Sequence, residues 1–562
     1  MKIKKQLVFV LTMAVIALAA SPAPLNGNTY YVSTSGSDSN DGSESSPWLT
    51  IQHAVDSVGP GDTIYVMGGV YNELVNFTNS GSAAGGYITL QNYEGETAVI
   101  DGTGLGGSEP GLIKIDYKHH IIVSGFELRN LTTANKSTTP AGIWILGTSH
   151  HIELHNNLVH HIENTATGGN AHGIAAYGYS STTSIHDLVI QGNEVRDCIL
   201  GWSESMVLNG NVENFIVKDN IVHDNDNIGI DFIGHEGTCN DASLDQARDG
   251  LCIGNLVYNI DSLPNPAYAG ERCADGIYVD GGKRIIIEKN IVHHCNIGVE
   301  IASEHKDKGT SDIILRSNII YNSHSGGIFI GGYASNKGWA RDCNIVNNTL
   351  YYNDTDNCGW GGEIVMQYHC SDNIFKNNII SEGPNRLYIC NENTTCENNV
   401  FDYNIYYGSG GQWQWNSVTY SSFSAYKSAS GQDSNSLMAN PEFADMASHD
   451  FHLQYDSPCI NAGDPSASGD YSGQTDIDDE PRLMRGRVDI GTDEVNEKQA
   501  DFTRDGVVNV GDLVIFSHSW WTSPADDRWY VLCDLFEDGQ IDLDDLAEFV
   551  NDWLWQATWY EG

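Results

Sequence analysis

The chain has 562 residues and a formal net charge of −46, from 74 acidic and 28 basic side chains. This balance argues against a nucleic acid partner, because phosphate binding requires basic patches. An acidic surface also repels polyanionic polymers unless Ca²⁺ or a local basic group offsets the charge.

Residues 1–23 have the composition of a secretory signal peptide. A Lys-rich start precedes an apolar stretch from about Leu7 to Ala20, and small residues suited to cleavage follow. The stretch is too short for a comfortable membrane span, and no later segment is apolar enough to cross a bilayer. We therefore expect a secreted, extracellular protein with no membrane span.

The segment after Thr29 predicts an N-terminal cap. Its pattern is a strand, an acidic Gly/Ser loop, a short amphipathic helix near Ile51 to Val58, and the strand PGDTIYV. A solenoid requires such a cap because the open end of its stacked sheets would otherwise expose unpaired backbone groups.

A short sequence motif is then repeated, in which Asn precedes apolar residues and a polar turn. Spacings of 21 to 36 residues and short β-branched runs between the copies predict an all-β solenoid, a parallel β-helix with one coil per copy of the motif. We interpret the recurring Asn as a structural ladder whose amides hydrogen-bond from coil to coil. The nine copies begin at Asn157, Asn193, Asn220, Asn255, Asn290, Asn318, Asn348, Asn378 and Asn399.

A Gly that leads the strand after each corner aligns six of the coils. Counting from Gly142, Gly173, Gly229, Gly276, Gly298 and Gly327, alternate side chains should point inward and outward. The outward set contains four acids on three successive coils, which we predict to be catalytic: Asp231, Asp280, Glu300 and Glu304. Since neighbouring strands lie ~4.8 Å apart, Asp231 and Glu300 should be ~9.5 Å apart.

Two chemistries fit these acids. Crowded carboxylates bind Ca²⁺, which neutralises a uronate while a base removes the C5 proton. The candidate bases lie at the ends of the same strands: Lys283, His235, Arg284, His305 and Lys306. Alternatively, the carboxylates act as acid and base around a water, as in inverting glycoside hydrolases. Predicted substrate-binding residues are the outward rings and two arginines on inserted loops: Trp144, Tyr177, Tyr179, Tyr278, Tyr333, Arg248 and Arg272.

Twelve cysteines in an exported chain favour disulfides. Local pairs are Cys239 with Cys252, Cys358 with Cys370, and Cys390 with Cys396. The alternative is that several are free thiols buried between coils.

After a linker at residues 496–500, residues 501–556 contain two copies of a calcium-loop pattern, each leading into an apolar helix. Oxygen ligands at these spacings suit a six- or seven-coordinate Ca²⁺. In the second loop Phe536 replaces a ligand, so that loop should bind more weakly. The predicted ligands are Asp501, Thr503, Asp505, the Val507 carbonyl, Asn509 and Asp512 in the first loop, and Asp534, Asp538, the Gln540 carbonyl, Asp542 and Asp545 in the second.

Two family resemblances accompany these patterns. The segments TYYVSTSGSDSNDGSESSPWLTIQHAVDSVGPGDTIYV and LMANPEFADMASHDFHLQYDSPCINAGDP resemble the ends of exported right-handed parallel β-helix proteins, including pectate-lyase-like polysaccharide lyases of family nine. This implies a right-handed β-helix over residues 28–495 and a lyase acting on a uronic-acid glycan. The duplicated loop-helix unit resembles a dockerin, which implies a cohesin-type or cell-surface partner.

The functional expectation is thus a secreted, Ca²⁺-dependent polysaccharide lyase. An inverting glycoside hydrolase is the second reading, and a non-catalytic carbohydrate-binding or surface-attachment protein is the alternative from another class. The dockerin resemblance leaves the partner open, because Val510-Gly511 and Leu543-Asp544 stand where the usual hydroxyl pair would contact a cohesin.

Overall fold

The structure is a computed structural model. Three expected features lie wholly or partly outside the described residues: the signal segment, most of the linker, and the ligand positions Asp505 and Asp538. The described residues are 27–107, 110–454, 457–467, 471, 473–483, 487–495, 500–503, 507–530, 533–536 and 539–554.

The chain winds through three long sheets whose strands pair in parallel, except for the antiparallel last pair of one sheet, Gln412–Trp415 and Val418–Tyr420, so the predicted parallel β-helix is confirmed. In one coil, the strands Ala141–Leu146, His150–His155 and Leu158–Asn164 each belong to a different sheet. The next strand, His172–Gly178, returns to the sheet of Ala141–Leu146 and pairs with it in parallel. Each coil therefore buries its apolar residues against the coils before and after it.

Sheet 1 has 16 strands: Thr29–Val32, Thr63–Val66, Ile88–Asn92, His119–Ser124, His150–His155, Ile185–Gln191, Val212–Lys218, Ala247–Ile253, Lys283–Glu288, Gly309–Ser311, Ile314–Arg316, Trp339–Arg341, Asn344–Val346, Cys370–Ser371, Ile374–Lys376 and Val400–Asp402. Sheet 2 has 13: Gly69–Tyr71, Ala98–Asp101, Phe126–Thr133, Leu158–Asn164, Glu194–Arg196, Ile221–His223, Leu256–Tyr258, Ile291–His293, Ile319–Tyr321, Thr349–Tyr351, Ile379–Ser381, Ile405–Tyr407 and Leu437–Met438. Sheet 3 also has 13: Val75–Asn76, Gly111–Asp116, Ala141–Leu146, His172–Gly178, Met206–Gly210, Ile230–Ile233, Asp275–Asp280, Ile297–Ala302, Gly326–Gly331, Gly362–Met366, Leu387–Asn391, Gln412–Trp415 and Val418–Tyr420.

The remaining elements cap the β-helix, pack against sheet 2 or form the C-terminal unit. The predicted cap helix is present at Ile51–Ser57, where the Thr50 side chain accepts a hydrogen bond from the His53 amide. The other α-helices in the described ranges are Phe423–Ser430, Val510–His518 and Leu543–Asn551, with a 3₁₀ turn at Pro465–Ala467 and an antiparallel hairpin of Phe443–Asp445 and Asp450–Leu453. No helix within these ranges is long and apolar enough to cross a membrane.

The asparagine ladder lies where the chain passes from sheet 1 to sheet 2. The Asn290 amide group donates to Asn318 Oδ1 at 2.9 Å, and its own oxygen accepts from Asn255. The same contact repeats from Asn157 to Asn378. The ninth predicted member is wrong: Asn378 bonds to Asn404, because Asn404 precedes the sheet 2 strand, whereas Asn399 precedes the sheet 1 strand and bonds to Asn373 in a second, shorter ladder.

Candidate functional site

The predicted file of outward side chains is present on sheet 3. Asp231 is in register with Tyr278, and Tyr278 with Glu300, so the two acids lie two coils apart as expected. Asp280 follows on the middle strand, and its Oδ1 accepts a hydrogen bond from the Glu304 amide at 2.8 Å. The four predicted catalytic acids therefore come together on three successive coils.

These acids are not a solvated surface. Asp231, Asp280 and Glu300 are only 2%, 5% and 6% exposed, whereas Glu304 is exposed. Burial raises the pKa of Asp231 and of Asp280 well above the usual range, and neighbouring carboxylates raise both further. Burial also raises the pKa of Glu300, to about 7. The region thus concentrates carboxyl groups in a place where their charged form is unfavourable.

Two further acids join the group and were not predicted. Glu204 precedes Ser205 on the coil before Asp231, and Asp275 precedes Gly276; both are buried. Glu204 was missed because that coil has Ser205 where the others have Gly, so it did not align. Asp275 was missed because outward positions were counted only after the Gly.

The acidic group has little positive charge to balance it. Glu204 Oε2 lies 3.4 Å from His172 Nδ1, but burial lowers the pKa of His172 to about 4, so the imidazole is neutral at pH 7 and the contact is not a salt bridge. Several buried oxygens there have no hydrogen-bond partner: Glu204 Oε2, Asn209 Oδ1, Asp231 Oδ1 and Asp275 Oδ1. Buried carboxylates are normally paired or bound to a metal, so this set has the chemistry of a cation site.

Asp275 and Glu300 interact directly. Their carboxyl groups share a hydrogen bond, and Glu300 also bonds to the Gln367 side chain. Burial raises the pKa of Asp275 well above its usual range, and Glu300 raises it further. The pair is therefore expected to retain a proton near neutral pH, as a general acid requires.

The predicted bases lie in different places. His235 borders the acidic group: its ring lies so close to Gly281, the residue after Asp280, that a Cβ on Gly281 would approach it to 3.0 Å. The buried Nδ1 of His235 has no hydrogen-bond partner, and burial lowers the pKa of the ring. Lys283 instead begins a sheet 1 strand, in register with Arg248 and Ser311. Lys337, which was not predicted, interacts electrostatically with Glu304 and Asp280; a bond to Tyr333 contributes most to raising its pKa.

The predicted platform of exposed rings is present only in part. Tyr179 and Tyr333 are exposed, at 38% and 49%, and Tyr177 is half-buried. Trp144 and Tyr278 are each 5% exposed, because neighbouring coils and side chains cover them. Trp144 packs against His172 and Tyr177, so these rings act as packing partners beside the acids.

The predicted arginine clamps are already engaged. Arg248 donates to Glu213 Oε2 at 2.5 Å and to the Leu244 and Gln246 carbonyls, which fixes a loop. Arg272 forms salt bridges with Asp261 and Asp356. Their guanidinium groups hold the two inserts against the β-helix, so neither is a free anion-binding group in this structure.

The two predicted calcium loops have matching hydrogen bonds where the structure describes them. Asp512 Oδ1 accepts from the Thr503 amide at 2.7 Å, and Asp545 Oδ1 accepts from the Phe536 amide at 2.9 Å. Both acids are fully buried, and each completes a capping box at the start of its helix. The packing repeats too, since Phe502, Phe516 and Phe549 stack in a small separate core.

The cysteine contacts differ from the predicted local pairs. All twelve carry free thiols in the structure. Cys370 Sγ lies 2.7 Å from Cys396 Sγ on adjoining coils, whereas Cys358 contacts Asp354 and Cys390 contacts Gln414. The coil repeat, rather than closeness in sequence, brings Cys370 to Cys396.

Family models match two regions of the chain. A model described as "Pel9A-like, right handed beta helix region" matches residues 30–188, and one described as "Right handed beta helix region" matches residues 254–429. Among solved structures, pectate lyase Pel9A is 15% identical with a TM-score of 0.46, over 84% of this chain and 98% of Pel9A. The GH136 lacto-N-biosidase from Eubacterium ramulus is 13% identical with a TM-score of 0.43, over 68% and 64%.

Two curated proteins are similar in sequence. Pectate lyase PEL9 of Emericella nidulans is 43% identical over 96 residues, which cover 17% of this chain and 23% of PEL9. The uncharacterized protein YwoF of Bacillus subtilis is 40% identical over 458 residues, which cover 80% of this chain and 96% of YwoF. This chain, with its Pel9A-like right-handed β-helix region, therefore belongs to the same protein family as YwoF.

Proposed function

We propose that the protein is a polysaccharide lyase that cleaves a uronic-acid-containing glycan by β-elimination with the help of Ca²⁺. The observation that carries this proposal is the group of buried carboxylates on sheet 3, which form no salt bridge with a lysine or arginine among the described residues. The Pel9A-like family model and the local similarity to a protein named pectate lyase support the same reaction class.

The residues present fit a calcium ion. Glu204, Asp231 and Asp280 interact with one another electrostatically, and Glu204 and Asp231 each have a buried oxygen without a partner. Hard carboxylate oxygens are the ligands that Ca²⁺ prefers, and these three would hold it. When bound, the ion supplies positive charge that neutralises a uronate carboxylate and makes its C5 proton more acidic.

The surrounding side chains supply the remaining roles. His235 is the proposed base, because its pKa is lowered and its Nδ1 is unbonded, so it is neutral and able to accept the C5 proton. Lys337 is the proposed partner for a uronate carboxylate, since its pKa is raised and it is partly exposed. Glu300, protonated below about pH 7, is the proposed donor to the departing glycosidic oxygen.

A glycoside hydrolase remains a second candidate, and the Asp275–Glu300 hydrogen bond favours it. A protonated carboxylic acid beside further carboxylates is also the arrangement of a hydrolase acid and base. The products distinguish the two reactions, because elimination leaves an unsaturated sugar with ultraviolet absorbance and hydrolysis does not.

The test is a screen of uronic-acid and neutral polysaccharides, read by ultraviolet absorbance, reducing ends and product mass. We expect unsaturated products that disappear with EDTA and in Asp231→Asn, while exposed Glu94→Gln behaves as wild type. Reducing ends without ultraviolet absorbance would replace the lyase by the hydrolase. Binding without any product would indicate the non-catalytic carbohydrate-binding alternative.

We also propose that residues 501–556 form a dockerin-like calcium domain and that the protein is secreted. The repeated loop geometry around Asp512 and Asp545 supports the domain. Exposed Val510, Val514, Leu543 and Val550 give its two helices an apolar surface suited to a cohesin-type or cell-surface partner. Calcium titration of the full chain, followed by binding to a cohesin panel, tests this part. Asp512→Asn should lose Ca²⁺ binding that wild type shows, and identical titrations of the two proteins would contradict the proposal.

A further inference from the structure

A block of histidines starts three successive strands of sheet 1, away from the acidic file of sheet 3. The strands begin with His119-His120, His150-His151 and, after Ile185, His186-Asp187. His150 is in register with both His119 and His186, so the first members form one file. The second members, His120, His151 and Asp187, form a parallel file beside it.

The two files bring nitrogen and oxygen atoms close together. His150 stacks on His119 and on His186 with ring centroids 4.8 Å apart in each case, and His120 stacks on His151 at 4.4 Å. Between the files, His150 Nδ1 lies 2.9 Å from His151 Nδ1. The ligand atoms of His120, His150 and His151 all lie within 4.8 Å of one another, as do those of His151, His186 and Asp187.

The backbone is the reason why the side chains meet. His120, His151 and Asp187 have φ values of 55°, 52° and 52°, a left-handed conformation that non-glycine residues seldom adopt. This conformation interrupts the alternation of the strand, so that both members of each pair reach the same side. Three consecutive coils with the same local shape then align the groups that a metal ion needs.

The imidazoles of this block can be reached from solvent. His150, His151, His186 and Asp187 are half-buried, so an ion has a route to them.

Other histidine pairs in the chain lack this arrangement. His160 Nδ1 lies 2.6 Å from His161 Nδ1, but no coil stacks a third imidazole on them. His452 lies near Asp478 and Asp493, yet both of its ring nitrogens are bonded to carboxylates, and carboxylate bonds raise its pKa to about 10 despite burial. The sheet 1 block differs because imidazoles from three successive coils converge on one another and on Asp187.

We propose that His120, His150, His151, His186 and Asp187 form a binding site for a divalent transition metal such as Zn²⁺ on sheet 1. Imidazole nitrogens with one carboxylate favour Zn²⁺, Ni²⁺ or Cu²⁺ over Ca²⁺, which prefers oxygen. The site is separate from the acidic file and from the C-terminal loops. It ties three coils together through their side chains.

The test uses the full chain, freed of metal and then kept in excess Ca²⁺ so that oxygen sites are filled. Zn²⁺ is titrated by calorimetry, and Co²⁺ by its visible absorption. We expect about one to two Zn²⁺ per chain, a rise in thermal stability, and a Co²⁺ spectrum with nitrogen ligands. Failure of both ions to bind would overturn the proposal.

Variants localise the site. His151→Asn introduces a residue that tolerates a left-handed backbone. It should weaken Zn²⁺ binding by about 10-fold to 100-fold. His186→Gln provides a second variant outside the left-handed position. The matched controls are His160→Gln and His161→Asn, the latter at an equally left-handed position with φ of 54°, and both should bind Zn²⁺ as wild type. Unchanged affinity in both folded site variants would place the ion elsewhere, for example at His452, and would also overturn the proposal.

Discussion

The carboxyl groups of Asp275 and Glu300 share a hydrogen bond between neighbouring coils of sheet 3. Neither group forms a salt bridge with a described lysine or arginine, and both are buried. Two interacting acids titrate as a pair, so one proton is retained to a higher pH than either carboxyl would hold in water. This relationship makes the acidic face sensitive to pH near neutrality.

Glu300→Gln should therefore abolish the alkaline limb of the pH–rate profile. The pKa of Glu300 is raised to about 7, so the wild-type rate should fall as pH rises through that value. The amide cannot donate a proton as a carboxylic acid does, and the rate should drop about 100-fold or more. Initial rates across pH for wild type, Glu300→Gln and Glu94→Gln provide the measurement. A Glu300→Gln profile with an unchanged alkaline limb would contradict the assigned role.

The same shift predicts a pH effect on stability. The folded-state pKa of Glu300 lies above its unfolded value, so the folded state binds the proton more tightly. Its contribution is fully present below about pH 4.3 and is lost as pH rises through about 7. In EDTA, Glu300→Gln should gain unfolding free energy relative to wild type between pH 5 and pH 8, roughly within that window. Urea unfolding at both pH values measures the difference, and a constant difference would show that no such titration occurs.

Asn290→Ala should destabilise the β-helix strongly. Asn290 Oδ1 accepts from both the backbone and the side-chain nitrogen of Asn255, at 2.9 Å each. Removing it leaves two buried donors unsatisfied, at a cost of about 2–6 kcal/mol in unfolding free energy. Exposed Asn135→Ala is the control and should change stability by less than about 0.5 kcal/mol. Chemical denaturation measures the unfolding free energy of both variants, and an equally small loss in Asn290→Ala and Asn135→Ala would contradict the stabilising role of the ladder.

The two proposed calcium loops should differ in Ca²⁺ affinity. Asp512 and Asp545 occupy equivalent places, but Phe536 removes an oxygen ligand from the second loop. Asp512→Asn should therefore remove the tighter Ca²⁺ site and Asp545→Asn the weaker one. Calorimetric Ca²⁺ titration of the full chain, in an Asp231→Asn background that disables the proposed β-helix site, separates these events. Equal losses in the two variants would contradict the ranking.

Cys370 and Cys396 should form a disulfide when the protein is oxidised. Their sulfurs are 2.7 Å apart as free thiols, and the bond would close a loop of about 26 residues. The expected gain is about 3 kcal/mol in unfolding free energy. Peptide mapping after oxidation, with Cys370→Ser as a control, identifies the bond. Recovery of both thiols unoxidised, or of either cysteine bonded elsewhere, would refute the pairing.

The sequence alone was sufficient to predict the parallel β-helix, the cap helix at Ile51–Ser57 and the register of Asp231 with Glu300. Each depends on local periodicity, because a strand repeats every two residues and a coil every 26 to 36 residues here. The ladder contains Asn404 where the sequence predicted Asn399, which shows the limit of this approach. The same short motif occurs at two different corners of the coil, and only the sheet to which the next strand belongs distinguishes them.

Tertiary structure decided everything that depends on burial and on contacts between coils. It showed that Asp231 and Glu300 are covered, that Glu204 and Asp275 belong with them, and that Arg248 and Arg272 are already paired. It also aligned His120 with His151 through a left-handed backbone that no strand pattern predicts. The periodicity of a strand predicts whether a side chain points into the β-helix or out of it. The pKa and the hydrogen-bond partners of that side chain depend instead on residues from other coils and on the loops that cover the strand.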